Sequence, residues 1–503
     1  MTSAGAESSP LLARWVGHPI ATDVAIIGPD GVAGGAGTYG AIGARARAIA
    51  AELRQGRPSL EGARVAFLLP PTRGFVDVLL GIMLAGGCAV PLSPLHSVAE
   101  LAHLVGDAGP VALVVSGELA PRLEPLRHGV RLIVSDARLP PVMIPDAEST
   151  ARSPALMLHT SGTTGKPKGV VLTHGAVAAT LSALHEAWRW KRSDRLLHVL
   201  PLHHTHGVVV ALLGALWAGA TAHLTPFEPA ACWDQLADAT LFMGVPTIHH
   251  RLLETFRAAD APTRERWSAN ARKLRLVTSG SAALPASLLE ELERVTGQRI
   301  LERYGMTEIG MALSNRYDGP RIAGAVGVPL PGVEVDVVAD NGTLAPDGTP
   351  GELRVRSPQM FAGYHGDAPT TEASFDAERR FRTGDTGVRD EQGIFRILGR
   401  TSVDVLKSGG YKLSALEIED VLREHPAIAE VAVVGAPDAE WGDRVTACVV
   451  LRPGVSLELA ALRTWAKERL APYKLPRALH VVDALPKNAM GKVQKKALVA
   501  ALT

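Results

Sequence analysis

The chain has 503 residues, of which 47% are hydrophobic and 20% are charged. A length of this order predicts two or more domains, because single hydrophobic cores stop growing well below it. Lysine and arginine number 52 and aspartate and glutamate 51, which gives a formal net charge of +1. So balanced a charge gives no indication of a nucleic-acid or anionic-membrane partner, and we expect neither.

The N-terminal segment MTSAGAESSPLLARW has no basic region followed by an apolar one, so no secretory signal is predicted. The longest apolar run, Gly207–Ala222, is shorter than the ~18 residues that a membrane span needs and predicts a buried core helix. Cys88, Cys232 and Cys448 are too far apart for a zinc knuckle or a redox pair, so we expect buried thiols. We predict a cytoplasmic protein, either a monomer or a small homo-oligomer.

Segments typical of strands alternate with segments typical of helices through the first four hundred residues. RVAFLLP at 64–70 precedes an apolar amphipathic stretch at 75–87, and similar pairs recur up to PASLLEELERVTG at 285–297. This alternation predicts an α/β fold of layered, mixed sheets flanked by helices. From Val333 the short strands VEVDVV and ELRVRS, joined by a turn, predict a small β-rich, antiparallel subdomain.

The pattern changes again between Arg400 and Asp404. Ser414 and Glu417 have the spacing of a capping box, which predicts the start of a helix that stops at Pro426. The strand-like segments EVAVVG and RVTACVVL and a further helix complete an α+β unit of about 100 residues, an ordinary domain size. We therefore predict a large N-terminal domain, residues 1–400, and a small α+β C-terminal domain, residues 401–503.

A glycine-rich loop lies within Leu158–Thr173, LHTSGTTGKPKGVVLT. Six consecutive hydroxyl or glycine residues, from Thr160 to Gly165, are followed by Lys166 and Lys168. Glycines let backbone N–H groups approach a ligand closely, and hydroxyls and lysines add donors for phosphate oxygens. The spacing is not that of a P-loop. A polar linker is the alternative, but strand-like apolar segments frame the loop and favour a polyphosphate site.

Several further short motifs have side chains that suit a nucleotide site. Each alone is weak evidence, because a TGD tripeptide is usually a turn and a lone lysine is usually a solvated charge. Their order along the chain carries the argument. They are Thr278–Ser281, Glu302–Glu308 (ERYGMTE), Arg382–Asp385, Gly399–Arg400 with Asp404, and Pro486–Lys492.

This ordered set resembles the acyl-adenylate-forming superfamily, which contains acyl-CoA synthetases, firefly luciferase and the adenylation domains of peptide synthetases. The resemblance extends from the strand at Val65 to Lys496. It implies ATP-dependent activation of a carboxylic acid, in a cleft between a large N-terminal and a small C-terminal domain.

The resemblance also implies a role for each nucleotide-site motif. Lys492 would contact the α-phosphate and the attacking carboxylate, Thr307 the α-phosphate, and Glu308 would bind Mg²⁺. Asp385, assisted by Arg400, would accept hydrogen bonds from the ribose, and Tyr304 would stack on adenine. The β- and γ-phosphates would be held by Thr160, Ser161, Gly162, Thr163, Thr164, Gly165 and Lys168. The purine pocket would be formed by Ser279, Gly280, Ser281, Ala282, Glu302, Arg303, Tyr304 and Gly305.

The second substrate is indicated by LKSGGYKLSALE at 406–417, which resembles this segment in CoA ligases. Its implied coenzyme A contacts are Lys407, Ser408, Gly409, Gly410 and Tyr411. The resemblance further implies a hinge near Asp404, about which the small domain would remove Lys492 from the site and bring in Gly409–Tyr411. A turn before a capped helix is the alternative for the two glycines, and acyl transfer to a carrier protein is the alternative to CoA.

RYGMTEIGMALSN (303–315) and VPTIHHRL (245–252) resemble malonyl-CoA synthetases. A second carboxylate in the substrate needs a cation, because an unpaired buried carboxylate costs several kcal/mol. Arg251 is the predicted clamp, with a surface pair to Glu254 as the alternative.

Other residues would form the acyl pocket wall. A metal site at His203, His204 and His206 is disfavoured, since no cysteine or carboxylate is close in sequence. For Met306, the alternative to a contact with the acyl chain is plain core packing. The predicted wall residues are His204, His206, Gly207 and Met306.

We therefore predict a ligase that converts malonate, ATP and CoA to malonyl-CoA, AMP and pyrophosphate, with methylmalonate as a second candidate acid. Short- or medium-chain fatty acids or aryl acids are the nearest alternatives. A non-catalytic nucleotide-binding module is opposed by the presence of Lys492, Glu308 and Asp385.

Overall fold

The structure is a computed structural model that describes residues 9–12, 22–28, 37–135, 145, 147–160, 167–401, 403–408, 411–438, 440–487 and 493–502. The strands, in chain order, are β1 Val24–Ile27, β2 Gly37–Thr38, β3 Arg64–Leu68, β4 Cys88–Leu92, β5 Ala112–Val115, β6 Arg131–Val134, β7 Pro154–Thr160, β8 Lys168–Thr173, β9 Arg195–His198, β10 Thr221–Leu224, β11 Leu241–Gly244, β12 Leu276–Ser279, β13 Leu301–Met306, β14 Gly310–Ser314, β15 Val328–Pro329, β16 Glu334–Val338, β17 Gly351–Arg356, β18 Gly363–Tyr364, β19 Phe381–Arg389, β20 Phe395–Arg400, β21 Val405–Ser408, β22 Tyr411–Ser414, β23 Ile428–Asp438, β24 Gly442–Leu451 and β25 Ala478–Val481.

The α-helices, in chain order, are α1 Tyr39–Arg54, α2 Arg73–Leu84, α3 Val98–Ala108, α4 Ala120–Leu123, α5 His174–Ala187, α6 Gly214–Ala218, α7 Pro229–Gln235, α8 Pro246–Ala258, α9 Ala261–Ala271, α10 Ala286–Thr296, α11 Ala368–Ala373, α12 Ala415–Arg423, α13 Leu459–Ala466 and α14 Lys495–Leu502. A π-helix, His206–Leu213, runs directly into α6. Among the described helices, none is both long and apolar enough to cross a bilayer.

The first four hundred residues contain two large mixed sheets. One has the order β15-β14-β13-β12-β11-β9-β10-β1-β2 and the other β18-β8-β7-β4-β3-β5-β6. Their central strands pair in parallel and are mostly buried, as expected for strands that are covered on both faces. The predicted α/β class with layered mixed sheets is confirmed, and so is the burial of Cys88, Cys232 and Cys448.

The β-rich subdomain is a four-stranded antiparallel sheet, β16-β17-β19-β20, as the turn-rich sequence after Val333 predicts. The C-terminal residues form a five-stranded sheet, β22-β21-β24-β23 with β25 paired to β24. Helices α12 and α13 supply buried residues to its main core. The α+β character predicted for this part of the chain is confirmed.

Two local predictions need correction. Ser414 does cap α12, since its hydroxyl accepts from the Glu417 N–H at 3.2 Å. The Glu417 carboxylate, however, pairs with Lys474 instead of completing a capping box. Helix α12 ends at Arg423, before the predicted stop at Pro426. The apolar run Gly207–Ala222 is a buried helix only as far as Ala218, its first two turns are π-helical, and its last two residues begin β10.

Candidate active site

The ends of parallel strands β12 and β13 place two of the predicted motifs side by side. Ser279, the last residue of β12, is in register with Glu302 of β13. The chain then crosses from Gly280 past Arg303, and a Cβ on Gly280 would lie 2.5 Å from the Arg303 guanidinium carbon. A larger residue at this position would have to displace the buried Arg303 guanidinium.

Three predicted nucleotide residues meet at Asp385. The Tyr304 hydroxyl donates to its Oδ2 atom at 2.6 Å, and Arg400 Nε lies 2.9 Å from its Oδ1 atom. Asp385 and Arg400 are opposite each other in the antiparallel pair β19–β20, so the sheet itself brings them together. A carboxylate oxygen has two lone pairs and can accept more than one hydrogen bond, which suits this group to a diol.

Glu302, two residues before Tyr304 in β13, is buried. Its Oε1 atom accepts from the Gly324 N–H at 3.0 Å. Burial raises the pKa of Glu302 to about 7, because the charged form loses its hydration. Ser281 adopts a positive φ of 69° and, with Ala282, is exposed at the rim of this region.

Glu308 belongs to a second group of side chains, which sequence analysis found only in part. The Tyr364 hydroxyl donates to its Oε1 atom at 3.1 Å. Lys168 Nζ lies 5.1 Å from the centre of the Tyr364 ring and 3.9 Å from Asp367 Oδ2. Tyr364 thus connects the predicted metal ligand to the predicted phosphate lysine. Tyr364 and Asp367 were missed because they are nearly two hundred residues from Lys168 in sequence.

The surroundings of Glu308 fit a divalent cation. Burial raises the pKa of this carboxyl, and a bound cation would restore its ionised form. The described residues contain no group of three or more histidine, cysteine or acidic side chains placed to hold a metal. Mg²⁺ commonly binds through one or two protein carboxylates together with phosphate and water oxygens, and Glu308 could supply such a carboxylate.

Thr307 faces the loop before the π-helix. Its hydroxyl oxygen lies 2.8 Å from that of Thr205, a residue that sequence analysis did not select. Thr205 directly precedes His206 and Gly207, so this contact joins the predicted phosphate side of the site to the predicted acyl side. No pattern in the sequence indicates a pairing across a separation of about a hundred residues.

Among the described residues, His206 of the predicted acyl wall and three residues of the predicted nucleotide motifs have buried polar atoms without partners. Among the described residues, Arg303 Nε and Nη2, both ring nitrogens of His206, and the hydroxyls of Thr278 and Ser279 make no hydrogen bond. Burial, reinforced by the charge of Arg303, holds the pKa of His206 well below its usual range. Burial also lowers the pKa of Arg303 to about 10. Buried polar groups are nearly always satisfied, so this cluster indicates a place for a polar ligand.

Arg251 and Met306, two further residues predicted for the acyl side, have contacts of other kinds. Arg251 is on the exposed face of α8, with its guanidinium carbon 5.1 Å from the Phe227 ring centre. Glu254 pairs with His250 at 3.3 Å, not with Arg251. Met306 Sδ lies 3.7 Å from the Tyr304 hydroxyl.

His204 is part of a histidine stack. Its ring centre lies 4.0 Å from that of His203. Burial lowers the pKa of His204 to about 4, so its ring is neutral at physiological pH. A neutral ring suits an apolar pocket wall better than a solvated surface.

The predicted CoA segment is a β-hairpin. Ser408, the last residue of β21, is in register with Tyr411, the first residue of β22. The Lys407 N–H donates to Asp443 Oδ2 at 2.7 Å. Asp404, the predicted hinge, directly precedes β21.

Several predicted residues lie outside the described part of the chain, and their roles stay predictions. The loop that carries Lys492 is bounded by described residues: Lys487 and Val493 form an antiparallel bridge. The Gln494 N–H donates to the Pro486 carbonyl at 2.8 Å. The predicted residues concerned are Ser161, Gly162, Thr163, Thr164, Gly165, Gly409, Gly410, Lys492 and the side chain of Tyr411.

The chain belongs to the AMP-binding enzyme family. The family model for the AMP-binding enzyme matches residues 14–365, and that for the AMP-binding enzyme C-terminal domain matches residues 417–492. Within the family the chain is similar to malonate–CoA ligases. It is 42% identical to the mitochondrial malonate–CoA ligase ACSF3 of Homo sapiens over 479 residues, 88% of this chain and 83% of that protein.

Solved structures agree with this assignment. ATP-bound MatB from Rhodopseudomonas palustris is 34% identical, with a TM-score of 0.88 over 98% of this chain and 99% of that one. A malonyl-CoA ligase in a ternary product complex with methylmalonyl-CoA and AMP is 38% identical, with a TM-score of 0.70 over 95% of this chain and 100% of that one. The resemblance to adenylate-forming acyl-CoA synthetases is confirmed.

Proposed function

We propose that the protein is an AMP-forming acid–CoA ligase whose acid is malonate. A malonate carboxylate oxygen attacks the α-phosphorus of ATP, and pyrophosphate leaves. The CoA thiolate then attacks the acyl carbon of malonyl-AMP, and AMP leaves with the oxygen that came from malonate. The products are malonyl-CoA, AMP and pyrophosphate.

The observation that carries the choice of acid is the buried guanidinium of Arg303, whose Nε and Nη2 atoms have no hydrogen-bond partner among the described residues. A buried cation without an anion is costly, and a second substrate carboxylate would supply that anion in bidentate form. His206, Thr278 and Ser279 add potential donors beside it. This proposal moves the predicted clamp from Arg251, which is exposed over Phe227, to Arg303.

On the nucleotide side, Asp385 accepts from the ribose hydroxyls while Tyr304 and Arg400 hold its carboxylate in place. The Tyr304 ring supports adenine, and the buried carboxyl of Glu302 lies two residues before it in β13. Lys168 binds the terminal phosphates, and Thr307 and Lys492 donate to the α-phosphate.

Glu308, oriented by Tyr364, is the proposed Mg²⁺ ligand. The cation, when bound, neutralises phosphate charge and so favours attack by an anionic carboxylate. Electrostatic stabilisation of this kind is worth ~10²–10³ in rate per group, which is the size of effect we expect from Lys492.

Coenzyme A is the proposed acyl acceptor, with contacts from Lys407, Ser408 and the hairpin connection Gly409–Tyr411. Methylmalonate is a second candidate acid, because one malonyl-CoA ligase of similar structure holds methylmalonyl-CoA. The domain limits 1–400 and 401–503, the hinge at Asp404 and the cytoplasmic location stay predictions.

A substrate panel tests the proposal. Purified protein with ATP, Mg²⁺ and CoA is supplied with malonate, methylmalonate, butyrate, benzoate or octanoate, and acyl-CoA is measured by mass spectrometry beside pyrophosphate release. We expect kcat/KM for malonate to exceed that for butyrate at least ~10³-fold, the size of discrimination typical of a buried polar site. Preference for octanoate or butyrate would contradict the choice of acid. Malonate-dependent pyrophosphate release without acyl-CoA would contradict CoA as the acceptor.

A further inference from the structure

The two main cores of the molecule are joined through a short connection. Buried apolar residues of the large N-terminal core extend as far as Phe395, and those of the C-terminal core begin at Leu406. Between them lie the end of β20 and residues 401–404. Contacts within this connection, together with the 2.6 Å hydrogen bond from the Ser414 hydroxyl to the Leu398 carbonyl, join the two parts of the chain.

Asp404 binds both sides of the connection with one carboxylate. Its Oδ2 atom accepts from the backbone N–H of Arg400, in β20, at 3.0 Å. Its Oδ1 atom accepts from Lys495 Nζ, in the C-terminal helix α14, at 2.6 Å. Gly399 permits this tight turn, because a Cβ there would lie 2.3 Å from the Asp404 Cβ.

Lys495 is the centre of a buried ionic triad. Its ammonium group also lies 2.6 Å from Glu419 Oε1, and the same oxygen accepts from the Val433 N–H at 2.7 Å. The side chains of Lys495, Glu419 and Asp404 are only 9%, 7% and 14% exposed. Removing the shared cation would leave two carboxylates without their partner in a poorly solvated place.

Lys495 is also adjacent to the loop that carries Lys492. That loop is closed at its base by the Lys487–Val493 bridge and by the hydrogen bond from Gln494 to Pro486, immediately before α14. In the other direction, Arg400 connects Asp404 to Asp385 and hence to Tyr304. A continuous set of polar contacts therefore runs from the base of this loop to the proposed ribose site.

We propose that Lys495 is a positioning residue that holds the C-terminal unit in the orientation for adenylate formation by binding Asp404. This inference rests on the proposed function, in which Lys492 acts in the first half-reaction and CoA in the second. The present structure has a higher TM-score with the ATP-bound relative than with the ternary product complex. The Lys495–Asp404 contact is therefore present in an arrangement that resembles the ATP-bound relative more than the ternary product complex.

Single-turnover rapid quench tests the proposal by separating the half-reactions. Enzyme mixed with malonate and ATP gives the rate of malonyl-AMP formation, and addition of CoA to the bound intermediate gives the rate of thioester formation. For Lys495→Met we expect adenylate formation to slow about tenfold or more, a usual size for conformational coupling, while thioester formation changes less than about twofold. Lys495→Arg should restore most of the first rate, because it keeps the cation.

Glu419→Gln is the matched control. Its amide oxygen can still accept from Lys495 and Val433, and the Lys495–Asp404 pair is unchanged, so the ratio of the two rates should stay as in the wild type. If Lys495→Met does not fold, Asp404→Asn takes its place, since the Lys495–Glu419 pair remains in that variant. Asp404→Asn should lower the rate of adenylate formation relative to the rate of thioester formation.

The outcomes distinguish failure of the inference about Lys495 from failure of the proposed function. If the wild type converts malonate in both steps but Lys495→Met, or Asp404→Asn in its place, slows both steps in parallel, Lys495 has a purely structural role and the inference fails. If the wild type performs neither step with malonate, the proposed function itself fails.

Discussion

Arg303 is a residue that favours ligand binding at the expense of the stability of the ligand-free protein. Its guanidinium is buried beside neutral His206, and two of its three nitrogens have no partner among the described residues. Such a group lowers the stability of the free protein and gains its partner only when an anion binds.

Replacement of Arg303 by methionine should therefore affect binding and stability in opposite directions. We expect kcat/KM for malonate to fall at least about 30-fold, because loss of one partner of a buried charge pair costs about 2–5 kcal/mol. The melting temperature of the ligand-free protein should not fall. Steady-state kinetics and thermal unfolding measure the two quantities.

Arg251→Ala is the comparison variant for this experiment. Arg251 is exposed, and we expect its loss to change kcat/KM for malonate by less than about threefold, as for a surface charge. A large effect at Arg251 together with a small one at Arg303 would restore the sequence-based clamp and contradict our assignment.

Glu302 provides a prediction about pH. The native state keeps its proton up to about pH 7, whereas the unfolded chain releases it near the ordinary value of 4.5. Since the native state binds more protons within this window, this residue makes the wild type less stable as pH rises from 4.5 to 7.

Glu302→Gln removes that titration and can accept the same backbone hydrogen bond. Its free energy of unfolding, minus that of the wild type, should increase by up to about 3 kcal/mol across the window. Urea denaturation near pH 4.5 and near pH 7.5 measures the difference, and a difference independent of pH would show that Glu302 is ionised in the native state.

At the scale of elements, the π-helix His206–Leu213 shapes the proposed acyl side. The Gly207 carbonyl accepts from the buried His198 ring at 2.9 Å, since the other ring nitrogen accepts from the Leu200 N–H. A helix carbonyl engaged in this way is less available to the regular ladder, which accounts in part for the wider turn. A Cβ on Gly207 would lie 2.0 Å from the Pro201 carbonyl oxygen.

Gly207→Ala should consequently destabilise the protein by about 1–3 kcal/mol or more, the usual cost of overpacking, and lower kcat/KM for malonate. Gly214→Ala is the matched control in the adjoining helix. Its nearest contact would be an ordinary 3.4 Å to the Trp190 ring, so stability should stay the same or rise slightly. Equal effects of the two substitutions on chemical denaturation would refute the packing explanation.

Sequence reasoning was most informative for elements with a clear periodic pattern or a local motif. The antiparallel sheet after Val333 and the helix capped by Ser414 follow from turn residues and capping chemistry. The π-helix could not be predicted, because a run that is apolar on all sides carries no periodicity. Glu417 was assigned to a capping box because nothing local indicates Lys474, nearly sixty residues away.

The same limit applies to the candidate site. Tyr304, Asp385 and Arg400 stand in recognisable motifs, and the sheet brings them together as the resemblance implies. Tyr364 and Thr205 act through contacts with residues far away in the sequence, so only the fold indicates them. Arg303 was placed in the purine pocket because its motif is otherwise nucleotide-binding, and its burial without a partner is visible only in three dimensions.

At the scale of the whole molecule, two cores and a short connection are suited to a reaction with two successive steps. The large core supplies the contacts proposed for nucleotide and acid, and the C-terminal core supplies Lys492 and the proposed CoA hairpin. Such a division requires a shared intermediate that stays bound while the second substrate arrives. The central claim of the account is that this intermediate is malonyl-AMP.

Isotope transfer tests that claim most directly. With malonate labelled by ¹⁸O in both carboxylates, the oxygen that attacks the α-phosphorus must leave with AMP when the thiolate displaces it. Mass spectrometry of the products should therefore find one ¹⁸O atom in each AMP formed with malonyl-CoA. Malonyl-CoA formed with unlabelled AMP, or with the label in inorganic phosphate, would contradict the account.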